Sequence, residues 1–434
     1  MADARLGGLV DDPRRNAALA WLVTALLATL AIAHALSGSY RWFVFTGFAI
    51  AIVLAPVVAF RDPIAMPPWE LLLLVLVPIV DATVLGKSVL TSVTVYVAVA
   101  TIALLVAVEI DRFTAVRMNH AFAIAFVVLA TLAVAGAWNV ALWVSDVAFG
   151  TAYILGDRSQ DAANRAMMFD FAYAAVAGLV AGVVFDRYVR SGVAVIADQP
   201  SGPQRSAPDA GSQPSASDSE PDPVPSLVRD RLDVSERTVR RLSRIMQVAL
   251  AVILGYGLVN RDPTTIANAA IALAITFFPA ILERDYRLPL EPELVFWLTA
   301  AVFLHALGSA GLYGFIGPWD SLTHTISATV VAAAGYTVVR AIDLHTDEVY
   351  FPTPMLVAVI LVFVLAFGVL WELLEFGIDQ SARRLGMGAI VAQHGLSDTI
   401  VDLVYDVVGA AVAAIWGSIY LTDLTHRIAD RFDG

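Results

Sequence analysis

Apolar stretches of about 20 residues follow one another along most of this chain, divided by short polar segments. Each is long enough to cross a hydrocarbon core of roughly 30 Å. Twelve are predicted as membrane helices: 17–36, 41–60, 69–86, 89–109, 119–143, 168–188, 243–260, 264–282, 293–313, 320–342, 353–377 and 397–421. Pro78 and Asp81 interrupt the third. The first begins after 16 polar or mixed residues that show no cleavage site, so it reads as an anchor and not as a cleavable signal. The pattern stops over 191–236, where Ser, Pro and Asp dominate. Such a segment cannot bury a core and is expected to be a disordered, acidic linker. It separates an N-terminal six-helix domain, residues 1–190, from a C-terminal six-helix domain, residues 237–434. The expected fold is all-α: a polytopic membrane protein built from two tandem six-helix bundles.

Composition agrees. Hydrophobic residues make up 59% of the chain and the mean hydropathy is +0.74, well above the usual share for soluble domains. There is no cysteine, which removes disulfides, thiolate metal sites and cysteine nucleophiles from consideration. The net charge is −12 and no basic face interleaved with aromatics occurs, so nucleic acid is not an expected partner. Membrane lipids are.

Arginine placement sets the expected orientation. Arg14, Arg15, Arg61, Arg112, Arg117, Arg284 and Arg340 fall on the side of the linker, which is itself flanked by Arg187, Arg190, Arg237, Arg240 and Arg241. Arg41, Lys87, Arg158, Arg165, Arg261, Arg383 and Arg384 fall on the other. The bias puts both termini and the linker in the cytoplasm of a cell-membrane protein.

The two halves resemble each other at an offset of about 220–235 residues. AWNVALWVSD (137–146) parallels LWELLEFGID (370–379), and DFAYAAVAG (170–178) parallels DLVYDVVGA (402–410). Six spans per half make these parallel repeats. Trp138/Trp371, Asp146/Asp379, Asp170/Asp402 and Tyr173/Tyr405 are kept in both, which marks them as structural. Asp320, His324, Glu372, Glu375 and Asp406 have Thr91, Val95, Asn139, Leu142 and Ala174 as counterparts. The ionisable set therefore belongs to the second half alone.

That set carries the candidate chemistry. Asp398, Asp402 and Asp406 stand one helical turn apart on one face of the twelfth span. Asp406 lies roughly 12 Å deeper than Asp398 at 1.5 Å per residue. Asp320 and His324 are i, i+4 on the tenth span; Glu372, Glu375 and Asp379 are i, i+3, i+7 on the eleventh. In the expected orientation all converge in the outer half of the membrane, with His305 near them. Carboxylates in hydrocarbon are costly and mark functional interiors. Three chemistries fit this residue set: binding a hard divalent cation, general acid/base catalysis by crowded carboxylates, and relay or coordination of a transported ion. His324, Glu372, Glu375, Asp398, Asp402 and Asp406 are the candidate metal ligands. His324, Asp320, Glu372 and Asp406 are the candidate catalytic residues, with Asp320 orienting His324. Asp398, in Ser397-Asp398, equally suits a helix N-cap. Glu375, near a span end, equally suits an interfacial acid reaching water. Gly409 fits close helix packing, and Arg383 and Arg384 could hold a lipid phosphate.

Residues 291–422 resemble the uncharacterised YjdF-like inner-membrane proteins and, more loosely, the VanZ-like superfamily. The resemblance rests on Asp320-Ser-Leu-Thr-His324, Trp371-Glu372-Leu-Leu-Glu375-Phe and Asp398-Thr-Ile-Val-Asp402 with Gly409 beyond it. Asp406 departs from the looser pattern, which tends to have asparagine there. The VanZ-like link to glycopeptide-antibiotic resistance implies envelope or lipid-head-group chemistry. Two functions are therefore expected: a membrane-embedded metal- or acid/base-dependent enzyme acting on a lipid-linked or envelope substrate near the outer leaflet, or a proton- or ion-coupled transporter.

Overall fold

The computed structural model describes residues 12–84, 89–114, 116, 118–197, 235–286, 292–345, 349–384, 386 and 395–432. Most of the expected linker, 198–234, lies outside the described residues. The architecture is all-helical, with no strand among the described residues. The first half forms α1 (Pro13–Leu36), α2 (Tyr40–Phe60), α3 (Trp69–Val84), α4 (Val89–Phe113), α5 (His120–Phe149) and α6 (Gln160–Ala197). The second forms α7 (Glu236–Asn260), α8 (Pro263–Thr276), α9 (Phe278–Tyr286), α10 (Pro292–Leu307), α11 (Trp319–His345), α12 (Thr353–Arg384) and α13 (Leu396–Phe432). Among the described residues, 9 helical stretches are long and apolar enough to cross a membrane. They include α1, α5, α7 and the combined stretch Pro263–Asp285. The protein is a multi-pass membrane protein. Of the other predicted spans, α3 has only 16 residues, Val95–Ile110 is a shorter apolar helix, and α13 carries Asp398, Asp402 and Asp406 in its first three turns.

Local chemistry sets the helix starts. Asp12 accepts from the amides of Arg14 and Arg15 (3.0 and 3.3 Å) with Pro13 at the first helical position. Asp262 and Pro263 do the same for α8, and Asn119 caps α5 through Phe122 N at 2.9 Å. Pro279 separates α8 from α9 because it has no N–H to give back to the preceding turn. The ninth predicted span, 293–313, is not one regular helix. It stops at Leu307 and passes through a π-turn, Gly308–Leu312, in which Gly311 takes φ 139°. Only glycine adopts that value freely. A Cβ on Gly308 would occupy the place of the Tyr313 ring.

Packing repeats across the halves. Within the first, α1 packs on α2 and α3, and α4 on α3, α5 and α6. Within the second, α7 packs on α8 and α10, and α11 on α10, α12 and α13. The halves meet where α5 and α6 face α12 and α13. One apolar cluster at that interface gathers Leu132, Ala133, Met168 and Phe171 of the first half with Ala366, Ile400 and Leu403 of the second. A Cβ on Gly136 would stand 2.8 Å from Val369 Cγ2, so α5 and α12 approach closely there. The tightest pair is α11 with α13, which run parallel. A Cβ on Gly409 would strike the Thr325 carbonyl and stand 2.8 Å from Ala328 Cβ, and Thr329 Oγ1 donates to Gly409 O at 3.1 Å. Small residues and interhelical hydrogen bonds are what hold helices together in lipid.

Candidate functional site

The close approach of α11 and α13 brings their polar stripes together. His324 Nδ1 lies 3.3 Å from Asp406 Oδ1. His324 Nε2 lies 3.7 Å from Asp402 Oδ1 and 3.9 Å from Asp320 Oδ1. Asp320, His324 and Asp402 each offer one ligand atom, and these atoms all lie within 4.8 Å of one another. The group is secluded: the His324 side chain is 11% exposed, and Asp402 and Asp406 are buried. This Asp–His–Asp group could bind a metal ion.

The eleventh-span acids lie beside the group, on α12. Glu372 is buried, and Thr399 Oγ1 of α13 donates to its Oε2 at 2.9 Å. Glu375 is also buried, and its Oε1 accepts from Trp371 Nε1 one turn back, at 2.9 Å. Burial of Glu375 speaks against a side chain extended to bulk water. Asp379 is fully buried near the end of α12. Asp398 is partly buried in the first turn of α13, two residues past its start and not at the cap, where a carboxylate complements the helix dipole. Glu372, Glu375, Asp398 and Asp406 thus surround the three-ligand group without being part of it. Arg383 and Arg384 are exposed in the last turn of α12.

A second hydrogen-bonded group adjoins the first. Tyr313 OH lies 2.8 Å from His305 Nδ1 and 3.5 Å from Thr323 Oγ1. The His305 ring meets Trp371 edge to face, with centroids 6.1 Å apart. The π-turn after α10 is what swings Tyr313 back onto His305. Neither Tyr313 nor Thr399 is singled out by charge or spacing. The one signal for Tyr313 is its position among Gly308, Gly311 and Gly314.

The residues kept in both halves have structural partners in the first. Asp146 accepts from Thr151 Oγ1 (2.6 Å) and from the amides of Tyr153 and Ile154 (2.7 and 3.0 Å), fastening the loop after α5. Tyr96 OH of α4 donates to Asp170 of α6.

Comparisons with known proteins stop at the membrane class. Residues 242–423 match the family described as a predicted membrane protein (DUF2238), and residues 4–66 match a domain of unknown function (DUF8268). An uncharacterised protein of Thermotoga maritima is 27% identical over 184 residues, covering 42% of this chain and 90% of the relative. That similarity, like the first family match, covers less than half of the chain. No solved structure matches.

Proposed function

We propose that the second half is a membrane-embedded divalent-cation centre serving an enzyme that acts on a lipid-linked or envelope substrate near the outer leaflet. The observation that carries this reading is the two-sided use of His324. An imidazole that donates Nδ1–H to Asp406 has its tautomer and ring orientation fixed, and presents the Nε2 lone pair to Asp320 and Asp402. Metal-ligating histidines almost always give their second nitrogen to such a partner. Ligand atoms about 2.0–2.6 Å from one cation stand roughly 3–4 Å from each other, in line with the separations around Nε2. In this reading Asp320, His324 and Asp402 are the ligands and Asp406 is the positioning residue. Glu372 and Glu375 supply the acid/base groups beside the cation, and the cation acts as Lewis acid or activates a water.

The reading of two parallel repeats, with both termini and the linker in the cytoplasm, rests on the arginine bias and on the interface. In a twofold arrangement a residue on the axis meets its own counterpart. Gly136 against Val369 fits that rule, and Leu132, Phe171 and Leu403 share one apolar cluster there. The looser VanZ-like likeness fits the same site, since its motif residues are the ones that converge.

One observation favours the second reading, ion- or proton-coupled transport. The interrupted span at Gly308–Leu312 adjoins the acidic group, and transporters place their ions at discontinuous helices.

The test is elemental analysis of the purified protein together with Mn²⁺ titration, beside His324→Ala and Asp402→Ala. Stoichiometric metal in the wild type, lost in both variants, is expected. Full Mn²⁺ binding by His324→Ala would end the cation reading. Proton flux in proteoliposomes that vanishes in Asp406→Asn, with no bound metal, would favour transport.

A further inference from the structure

An apolar crevice leads sideways from the His324 group. Its cavity measures about 320 Å³ and lies between α8 and α10 on one wall and α12 on the other, floored by α11. Its two ends differ in character. His305, His324, Trp371, Glu375 and Asp406 close one end; Leu298, Val302, Val331, Val364 and Phe367 line the other. Along α12 the lining runs from Val364 to Ile378, roughly 21 Å at 1.5 Å per residue, about the thickness of one leaflet and part of the next. The crevice is open laterally: Ile271, Phe367 and Leu374 at its margins are 51%, 40% and 53% exposed. Ile271, Phe367 and Leu374 lie on helical stretches long and apolar enough to cross a membrane.

Water does not fill the apolar end of this cavity, because apolar cavities stay dry and waters need several polar partners. The solvent at that depth is hydrocarbon. A crevice that is apolar along most of its length, polar at one end and open to the bilayer has the polarity of a single lipid. The His305–Trp371 contact bridges the two walls at the polar end, so a head group reaching His324 passes beside these rings.

Building on the cation reading, we infer that this crevice binds the hydrocarbon chain of a membrane lipid that enters from the side, with the lipid's polar head at the His324–Asp406–Glu375 end. The substrate class is then an amphiphile whose scissile or transferred group lies in its head, and not a water-soluble molecule. Binding energy comes from the chain, and the polar residues position the head.

The experiment uses the full chain in phosphatidylcholine nanodiscs doped with a phosphatidic acid that carries a photoreactive diazirine in its acyl chain. Cross-linked peptides are mapped by mass spectrometry. Labelling concentrated on α8, α10 and α12 is expected, saturable by unlabelled phosphatidic acid. Val302→Trp, which fills the crevice, is expected to reduce it severalfold while Mn²⁺ binding stays at the wild-type level. Competition in the wild type needs no variant, so a misfolded Val302→Trp does not remove the test. Unsaturable labelling spread evenly over the exposed apolar faces of α1, α2 and α7 would overturn the inference. The failure of the cation reading is seen separately: wild-type protein that binds no Mn²⁺ yet shows saturable crevice labelling retains the lipid site and loses the metal.

Discussion

Gly409→Ala is the sharpest test of how the site is held together. Gly409 of α13 faces the backbone of α11 so closely that a Cβ would strike Thr325 O and stand 2.8 and 3.1 Å from Ala328 Cβ and Thr329 N. Two of these three neighbours are backbone, which cannot turn aside, so the helices must separate. Overpacking of this kind costs about 1–3 kcal/mol. The same change brings a gain of about 1 kcal/mol from helix propensity. Gly377→Ala on α12 isolates that gain, because nothing lies within 4 Å of its added Cβ. The difference between the two variants is therefore the overpacking cost alone. At about 2–4 °C per kcal/mol for a unit of this size, their melting transitions in nanodiscs should differ by about 2–12 °C, with Gly409→Ala the lower. His324 is next to Thr325, so the same displacement draws its ring from Asp402 and Asp406. Mn²⁺ affinity should fall in Gly409→Ala and hold in Gly377→Ala. Coincident melting curves would refute the close approach of α11 and α13. A melting shift without loss of Mn²⁺ affinity would refute its role in setting the site.

Asp406→Asn keeps the shape but weakens the orienting partner of His324; isothermal titration should show Mn²⁺ binding about 10–100-fold weaker with little change in melting. Thr399→Val removes the hydroxyl that donates to buried Glu372, and thermal unfolding should show a loss of about 1–3 kcal/mol. Tyr96→Phe removes the donor to Asp170 in the first half; it should cost about 1 kcal/mol in the same assay and leave Mn²⁺ binding unchanged.

Much of this was legible in the chain because bilayers impose one simple rule. Apolar length alone locates helices such as α1, α5 and α12. The acidic stripes were legible for the same reason: a charge in such a stretch stands out, and spacings of four put Asp398, Asp402 and Asp406 on one face. Which atom meets which was not legible. That Asp406 faces Nδ1 while Asp402 faces Nε2 depends on the rotation and offset of α11 against α13, set by Gly409. The break in α10 was hidden for a different reason. Ser309, Ala310 and Leu312 between glycines read as mildly apolar and helical, and hydropathy carries no record of φ at Gly311. Tyr313 and Thr399 escaped because neither is ionisable at neutral pH. The extension of α6 to Ala197 crosses into the Ser/Pro-rich segment, where composition marks the change of character and not the last helical turn.

The contrast between Asp170 and Asp402 bears on why the proposed centre lies in the second half. Both carboxylates sit at matching places on the last span of their half, facing the span that precedes it by two. Asp170 meets the neutral hydroxyl of Tyr96, a donor that satisfies an oxygen without adding or removing charge. Asp402 meets Nε2 of the His324 imidazole, which has one N–H to give while neutral, and Asp406 lies against the other ring nitrogen. Asp320 and Asp402 are thus brought to within 3.9 and 3.7 Å of the same Nε2. Secluded carboxylates in that state repel each other, and a few kcal/mol or more is at stake for each charge held in hydrocarbon. A cation or a shared proton resolves the conflict; a scaffold has no use for creating it. Where the first half has Val95 and Ala174, the second has His324 and Asp406, so Asp402 gains two ionisable neighbours that Asp170 lacks. That gathering of ionisable groups around one imidazole, more than the number of acids, is what the proposed cation centre rests on.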